Sequence, residues 1–209
     1  MKIIDISVPV DDSIPVWPKA ARPDFPKFLS IEKGDVCNDS NIRMGMHTGT
    51  HIDAPKHFIK NGKSIDALPL QTFVGDSLVV ELPNANEIGA TELEKLNIPE
   101  QTQRILFKTK NSKLWGTTNE FTKNYVGISV SGAEWLAKRD MKLIGVDYLS
   151  IAKFDEAADV HRVLLEQGIA LLEGISLQAV ETGEYQLFCL PIKFIGLEAA
   201  PVRAILIKK

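Results

Sequence analysis

His47-Thr48-Gly49-Thr50-His51-Ile52-Asp53-Ala54-Pro55-Lys56-His57 holds three of the four histidines in this 209-residue chain. The run is poor material for a helix. Thr48, Thr50 and Ile52 are β-branched, Gly49 is flexible, and Pro55 cannot sit inside a hydrogen-bonded helical turn. An extended strand is expected instead, with residues 47, 49, 51 and 53 on one face. That face carries His47, a glycine without a side chain, His51 and Asp53, so two imidazoles and a carboxylate converge with room between them. Neutral nitrogen donors beside an anionic oxygen are what a divalent cation requires. The helical zinc-protease arrangement, with Glu directly after the first of two histidines, does not fit because position 48 is Thr.

Working outward, the metal-bearing strand is expected over residues 41–53, with Asn61-Gly62 as a turn after it. Residues 2–9 alternate well enough for a strand. The stretch 11–26 holds Pro15, Pro18, Pro23 and Pro26 around Trp17 and reads as an ordered loop or lid. Further strands are expected at 77–82, 104–109, 142–147, 169–173, 185–190 and 202–207. Thr91-Glu92-Leu93-Glu94 and Ser131-Gly132-Ala133-Glu134 have the form of capping boxes, opening short helices that stop before Pro99 and near Asp140. Residues 111–127 read as a long loop. Residues 155–167 have helical character, closed by Gly168 as a left-handed cap. Many strands with a few short helices, and no repeat or dividing linker, predict one α/β domain over residues 1–209 built on a mixed, curled sheet.

Composition fits that picture. Apolar residues make up 44% and charged residues 24%, the ordinary balance of a globular protein. The 24 basic and 27 acidic residues leave a net charge of −3 with both signs mixed, so nothing resembles the basic stripe that nucleic acid demands. Two cysteines, Cys37 and Cys189, are too few for a disulfide framework. With an acid at Asp5 where a signal peptide needs apolar residues, and no apolar run near the ~20 residues of a membrane span, a cytoplasmic protein without a membrane partner is expected.

The remaining imidazole, His161, is isolated in sequence and becomes a completing ligand only because the strand face already holds the others. Glu173 interrupts the apolar run Ile169-Ala170-Leu171-Leu172. A carboxylate in a buried strand costs several kcal/mol unless a metal or partner compensates it. The mixed nitrogen and oxygen donors suit Zn²⁺ or Mn²⁺, and the absence of cysteine argues against a closed structural zinc site. His57 lies past Pro55, where the chain has turned, and can approach from another side as an acid/base; the other reading makes it a further ligand or a residue behind the ligands.

The string from His47 to Phe58 resembles the H-x-G-T/A-H-x-D-x-P-x-H-F/Y signature of the cyclase-like metal hydrolases, the family of bacterial kynurenine formamidases and isatin hydrolases. The segment from Ile14 to Pro18, the strand from Lys142 to Asp147, the pair His161 and Glu173, and the stretches Cys189 to Phe194 and Ala200 to Ala204 resemble that family too.

The resemblance implies a swivelling β/β/α fold and two divalent ions per chain, zinc or manganese. His47, His51 and Asp53 would hold one ion; Asp53 would bridge to a second, held also by His161 and Glu173. His57 would be the catalytic acid/base. Trp17 would lie against the substrate's aromatic ring. Read from its place next to His57, Phe58 is expected to form a second apolar wall. The resemblance further implies a homodimer or homotetramer acting on a small amide. The implied reaction is hydrolysis of a linear amide by a metal-activated water, as for N-formylkynurenine in tryptophan catabolism. Ring opening of a cyclic amide such as isatin is the variant, and a metal-binding protein without catalysis is the other class.

Overall fold

The computed structural model describes residues 1–208. Eleven strands and three helices follow in chain order: β1 (Ile3–Asp5), β2 (Lys27–Leu29), β3 (Asp39–Ser40), β4 (His51–Asp53), β5 (Val74–Leu82), α1 (Ala90–Glu94), β6 (Arg104–Thr109), α2 (Val130–Ala137), β7 (Leu143–Val146), α3 (Ala157–Glu166), β8 (Ala170–Glu173), β9 (Gly183–Phe188), β10 (Ala199–Pro201) and β11 (Ile205–Lys208). Nine strands form one sheet in the order β1-β11-β9-β5-β6-β7-β8-β4-β10, while β2 and β3 pair by themselves. The centre, β5 to β8, is parallel. Every other pairing is antiparallel. The expected mixed sheet is therefore present.

The residue patterns explain the two kinds of strand. All four residues of β7 and of β8 are buried, as for strands covered on both faces, and in β8 the apolar run is broken only by Glu173. In β9, buried Tyr185 and Leu187 alternate with exposed Glu184 and Gln186, as for a strand with one wet face. Ile105, Phe107, Ile144 and Val146 pack with Leu136, Val160 and Leu164 of the helices. Leu106, Leu143 and Leu172, of the opposite parity, join a second core with Ile52, Val79, Leu187, Ala200 and Leu206. Nine flat strands would spread over roughly 40 Å, yet every strand of the sheet reaches that second core, Ile4 of β1 from its margin. The sheet must curl around it. The curl brings the chain after β1 against the chain after β8: Ser7 bridges Ile175, and Ser176 N–H donates to the Ile6 carbonyl.

Several sequence expectations are corrected. The strand over 41–53 reduces to His51–Asp53; residues 46–50 turn and bend, with Gly49 at φ +66°. The first short helix is capped at Gly89, whose N–H is accepted by Glu92, and not at Thr91. The second is capped by Ser129, whose hydroxyl faces the Gly132 N–H, and not by Ser131. The strand over 202–207 begins only at Ile205, as β11, and a separate edge strand, β10, precedes it and ends at Pro201, which lacks an N–H. The pair β2–β3 lies in a stretch for which no element was expected. Gly168 does follow the third helix at φ +75°. No helix among the described residues is long and apolar enough to cross a membrane.

Candidate metal centre

β4 lies between β8 and β10, and its register places His51 opposite Glu173 and Asp53 opposite Ala199. Period two holds over this short strand, so His51 and Asp53 face the same way. His161 arrives from α3, where Val160, His161, Leu164 and Leu165 are the buried stripe turned to the sheet. A histidine in that stripe is carried inward by its apolar neighbours. His47 comes from the bend before β4, and His57 from the short 3₁₀ turn Pro55–His57 after it.

Asp53 is the hub. Its Oδ1 lies 2.7 Å from His47 Nδ1 and 3.5 Å from His51 Nε2, and its Oδ2 lies 3.7 Å from His57 Nε2 and 3.6 Å from His161 Nε2. Glu173 brackets the other side, with Oε2 3.3 Å from His51 Nε2 and Oε1 3.2 Å from His161 Nε2. The Ile151 N–H donates to Glu173 Oε1 at 2.6 Å and fixes that carboxylate. All six groups named from the sequence, His47, His51, Asp53, His57, His161 and Glu173, are therefore brought together. Among the described residues, Glu198 is a neighbour not anticipated, with its Oε1 3.5 Å from His47 Nε2. Its only sequence signal is an acid directly before the apolar pair Ala199-Ala200.

Hydrogen bonding behind the ring nitrogens tests whether a cation fits. His51 Nδ1 lies 2.9 Å from the Gly49 carbonyl, and His161 Nδ1 lies 2.6 Å from the Ala157 carbonyl. A carbonyl can only accept, so both Nδ1 atoms carry the proton. In the neutral rings both Nε2 lone pairs then point at carboxylate oxygens, acceptor against acceptor. His51 Nε2 and both Asp53 oxygens are buried without a hydrogen-bond partner. Such orphans cost about 1–3 kcal/mol each in a finished interior. A divalent cation satisfies all three, and the donor set is of the right chemistry. Two overlapping groups have ligand-like spacing: His47, Asp53 and His57, and His51, Asp53 and Glu173. They share Asp53.

Without metal, protons take the cation's place. Burial opposes charge on His47, but the Asp53 carboxylate beside it more than offsets this and holds its pKa up at about 9. Burial likewise opposes charge on His161, and its contacts with Asp53 and Glu173 raise it to about 10. Both values lie above the ~6.5 of an unfolded histidine, so this stabilisation is complete below pH ~6.5 and is lost as pH rises through the folded values. The metal-free protein is expected to melt at least a few degrees lower at pH 10 than at pH 6.5, with saturating zinc removing most of the difference. Equal melting temperatures at the two pH values in the presence of chelator would contradict this.

Burial acts first on His57 as well, but here it wins. Positive charge at His47 and His161 adds to it against the pull of Asp53, and the pKa falls below the usual imidazole value. Cations in place of those protons would push the same way.

Trp17 stands in a nest of rings, stacked on Phe154 at 5.1 Å and edge-on to Phe121 at 5.1 Å. Phe121 in turn meets Tyr125 and Tyr148. The Tyr148 carbonyl accepts from the Gly174 N–H, so this aromatic group adjoins the residue after Glu173. Phe58 packs between His57 at 4.4 Å and His161 at 4.7 Å.

Comparison with known proteins agrees with this architecture. The model of the putative cyclase family matches residues 4–153. Cyclase-like protein 3 of Arabidopsis thaliana is 40% identical, over 99% of this chain and 80% of its own length. The kynurenine formamidase of Bacillus thuringiensis subsp. konkukian (strain 97-27) is 35% identical, over 97% of this chain and 96% of its own. A solved structure described as a potential metal-dependent hydrolase with cyclase activity superposes with a TM-score of 0.85 at 30% identity, covering 98% of this chain and 96% of that one.

Proposed function

Because the chain belongs to the putative cyclase family, we propose that it is a metal-dependent hydrolase cleaving the carbon–nitrogen bond of a small acyl arylamine, of which N-formylkynurenine is the first to test. One observation carries the reading: His51 Nε2 and both oxygens of Asp53, buried and without hydrogen-bond partners, meet beside a histidine held in its neutral form. His47, His51 and Asp53 would hold one divalent ion, zinc or manganese, and Asp53, His161 and Glu173 a second. Such an ion, once bound, polarises a carbonyl oxygen and makes water easier to deprotonate.

The chain's own groups do the rest. His57 Nε2, near Asp53 and neutral at pH 7, accepts a proton as the water oxygen joins the carbonyl carbon. It returns that proton to the leaving nitrogen as the carbon–nitrogen bond breaks, giving a free amine and a carboxylic acid, which then ionises by releasing its proton to water. The ring of Trp17, held by Phe154 and Phe121, offers the aryl group a rigid wall, and Phe58 offers a second. The plant relative at 40% identity names no amide, so the substrate rests on the formamidase likeness and the aromatic walls.

The grouping of His57 with His47 and Asp53 favours a second reading, in which His57 is a ligand of a metal-binding protein. His57→Ala separates the two. A catalytic His57 predicts full metal content with turnover reduced by about 10²–10⁴-fold. Loss of metal together with activity would refute the acid/base role. Assays of the zinc- and manganese-loaded protein on N-formylkynurenine, simple aryl formamides and isatin test the substrate, and inactivity on all three would remove the amide reading.

A further inference from the structure

The three imidazoles that converge on Asp53 and Glu173 most closely do not present the same atom. His51 and His161 turn Nε2 inward, and each has its Nδ1 held by a backbone carbonyl. His47 is reversed: Nδ1 faces Asp53 at 2.7 Å, and Nε2 points outward. Among the described residues no carbonyl serves that outer nitrogen. The acceptor standing there is the carboxylate of Glu198, 3.5 Å away. Its position is built and not incidental, because the Glu198 carbonyl accepts the Ala54 N–H at 2.8 Å. That bond continues the β4–β10 ladder and ties Glu198 to the residue after Asp53. The side chains of His47 and Glu198 are 30% and 36% exposed, so the carboxylate has room to close on the ring.

We infer that Glu198 is the positioning residue for His47, accepting its Nε2–H so that the Nδ1 lone pair is presented to the ion shared with Asp53. The inference rests on the metal reading above and assigns a part to a residue outside the ligand set. A ring nitrogen bound to metal is a better donor when the other N–H is given to a carboxylate, which fixes both tautomer and ring orientation. His51 and His161 obtain orientation alone from their neutral carbonyls. His47, the most exposed of the three, obtains orientation and negative charge from one side chain.

The test is zinc affinity measured by competition with a chromophoric chelator for wild type, Glu198→Ala, Glu198→Gln and, as a distant exposed control, Glu100→Ala. Removing such an outer partner weakens metal binding about 10–100-fold. Glu198→Ala should fall in that range. Glu198→Gln, which keeps an acceptor oxygen without charge, should lose less, and Glu100→Ala should match wild type. In the zinc-loaded wild type, imidazole ¹⁵N spectra should show His47 protonated at Nε2, with the Nε2 signal shifted in Glu198→Ala. Thermal melting without metal checks that the variants fold. Wild-type affinity in both Glu198 variants, or His47 protonated at Nδ1, overturns the inference while leaving the metal reading intact. A wild type that binds no zinc overturns both.

Discussion

Asp53→Asn is expected to weaken metal binding by roughly 10²–10³-fold or more and to abolish turnover at ordinary metal concentrations. The two oxygens of Asp53 approach four imidazoles, and this one carboxylate is common to both ligand groupings in the site. Asparagine replaces one oxygen with an N–H donor and removes the charge. Removing one partner of a buried ion pair costs about 3–5 kcal/mol, and 1.4 kcal/mol is a factor of ten. The metal-free state changes too. Burial alone would raise the Asp53 pKa, and the charges of His47 and His51 with the contact from His161 depress it well below the ordinary value. With the carboxylate gone, the raised pKa of His47 loses its main support, and the alkaline loss of stability in chelator should shrink. Metal content by elemental analysis and melting curves at pH 6.5 and 10 check both statements. An Asp53→Asn protein that keeps its full complement of ions would refute the shared-ligand site.

Gly174→Ala should be the most damaging methyl that can be added near the site. Gly174 has φ +68°, and a Cβ there would lie 2.1 Å from the Gly49 carbonyl oxygen and 2.7 Å from its carbon. Both atoms are backbone, so no side chain can swing aside. Left-handed geometry alone costs a non-glycine residue about 1–2 kcal/mol, and overpacking adds typically 1–3 kcal/mol. A combined cost near 3 kcal/mol lowers the melting temperature of a protein this size by about 6–12 °C. Gly168→Ala supplies the contrast. Its φ is +75° but nothing lies within 4 Å of the added carbon, so only the conformational part is lost. Gly174→Ala should also reduce metal affinity, because the displaced Gly49 carbonyl is the group that holds His51 Nδ1. Equal melting temperatures for the two variants would show that the close backbone crossing is not what constrains this position.

Much of the site was legible in the sequence, though partly for the wrong reason. The alternation of His51 and Asp53 follows from strand geometry and holds. Extending that alternation backwards places His47 on the same face, whereas the chain bends at Gly49, where an added Cβ would strike Val10. A single glycine does not announce whether it spaces a strand or turns it; the segment packed against it decides. His161 could be placed only by noticing that it occupies the buried stripe of α3 with Val160, Leu164 and Leu165. Glu198 escaped because an acid before a short edge strand is ordinary surface chemistry until β10 is known to pair with β4. Serine and threonine within a first turn look like caps in sequence, which is why Thr91 and Ser131 are the expected caps of the first two helices. Ser129 and Gly89 do that work in the fold. The mixed sheet followed from the count and composition of its strands. The expected curl is present as well, and the long-range bridge of Ser7 with Ile175 shows where it closes.

The position of β4 has a consequence for biosynthesis. Its two sheet neighbours, β8 and β10, both follow it at long range in the chain. A nascent polypeptide emerging from the ribosome therefore exposes the strand of His51 and Asp53 long before either flank exists to cover it. Long-range pairings of this kind form slowly. A complete ligand set must wait until β8 has been made, and a chain interrupted before it would carry His47, His51, Asp53 and His161 without Glu173, on an unpaired edge.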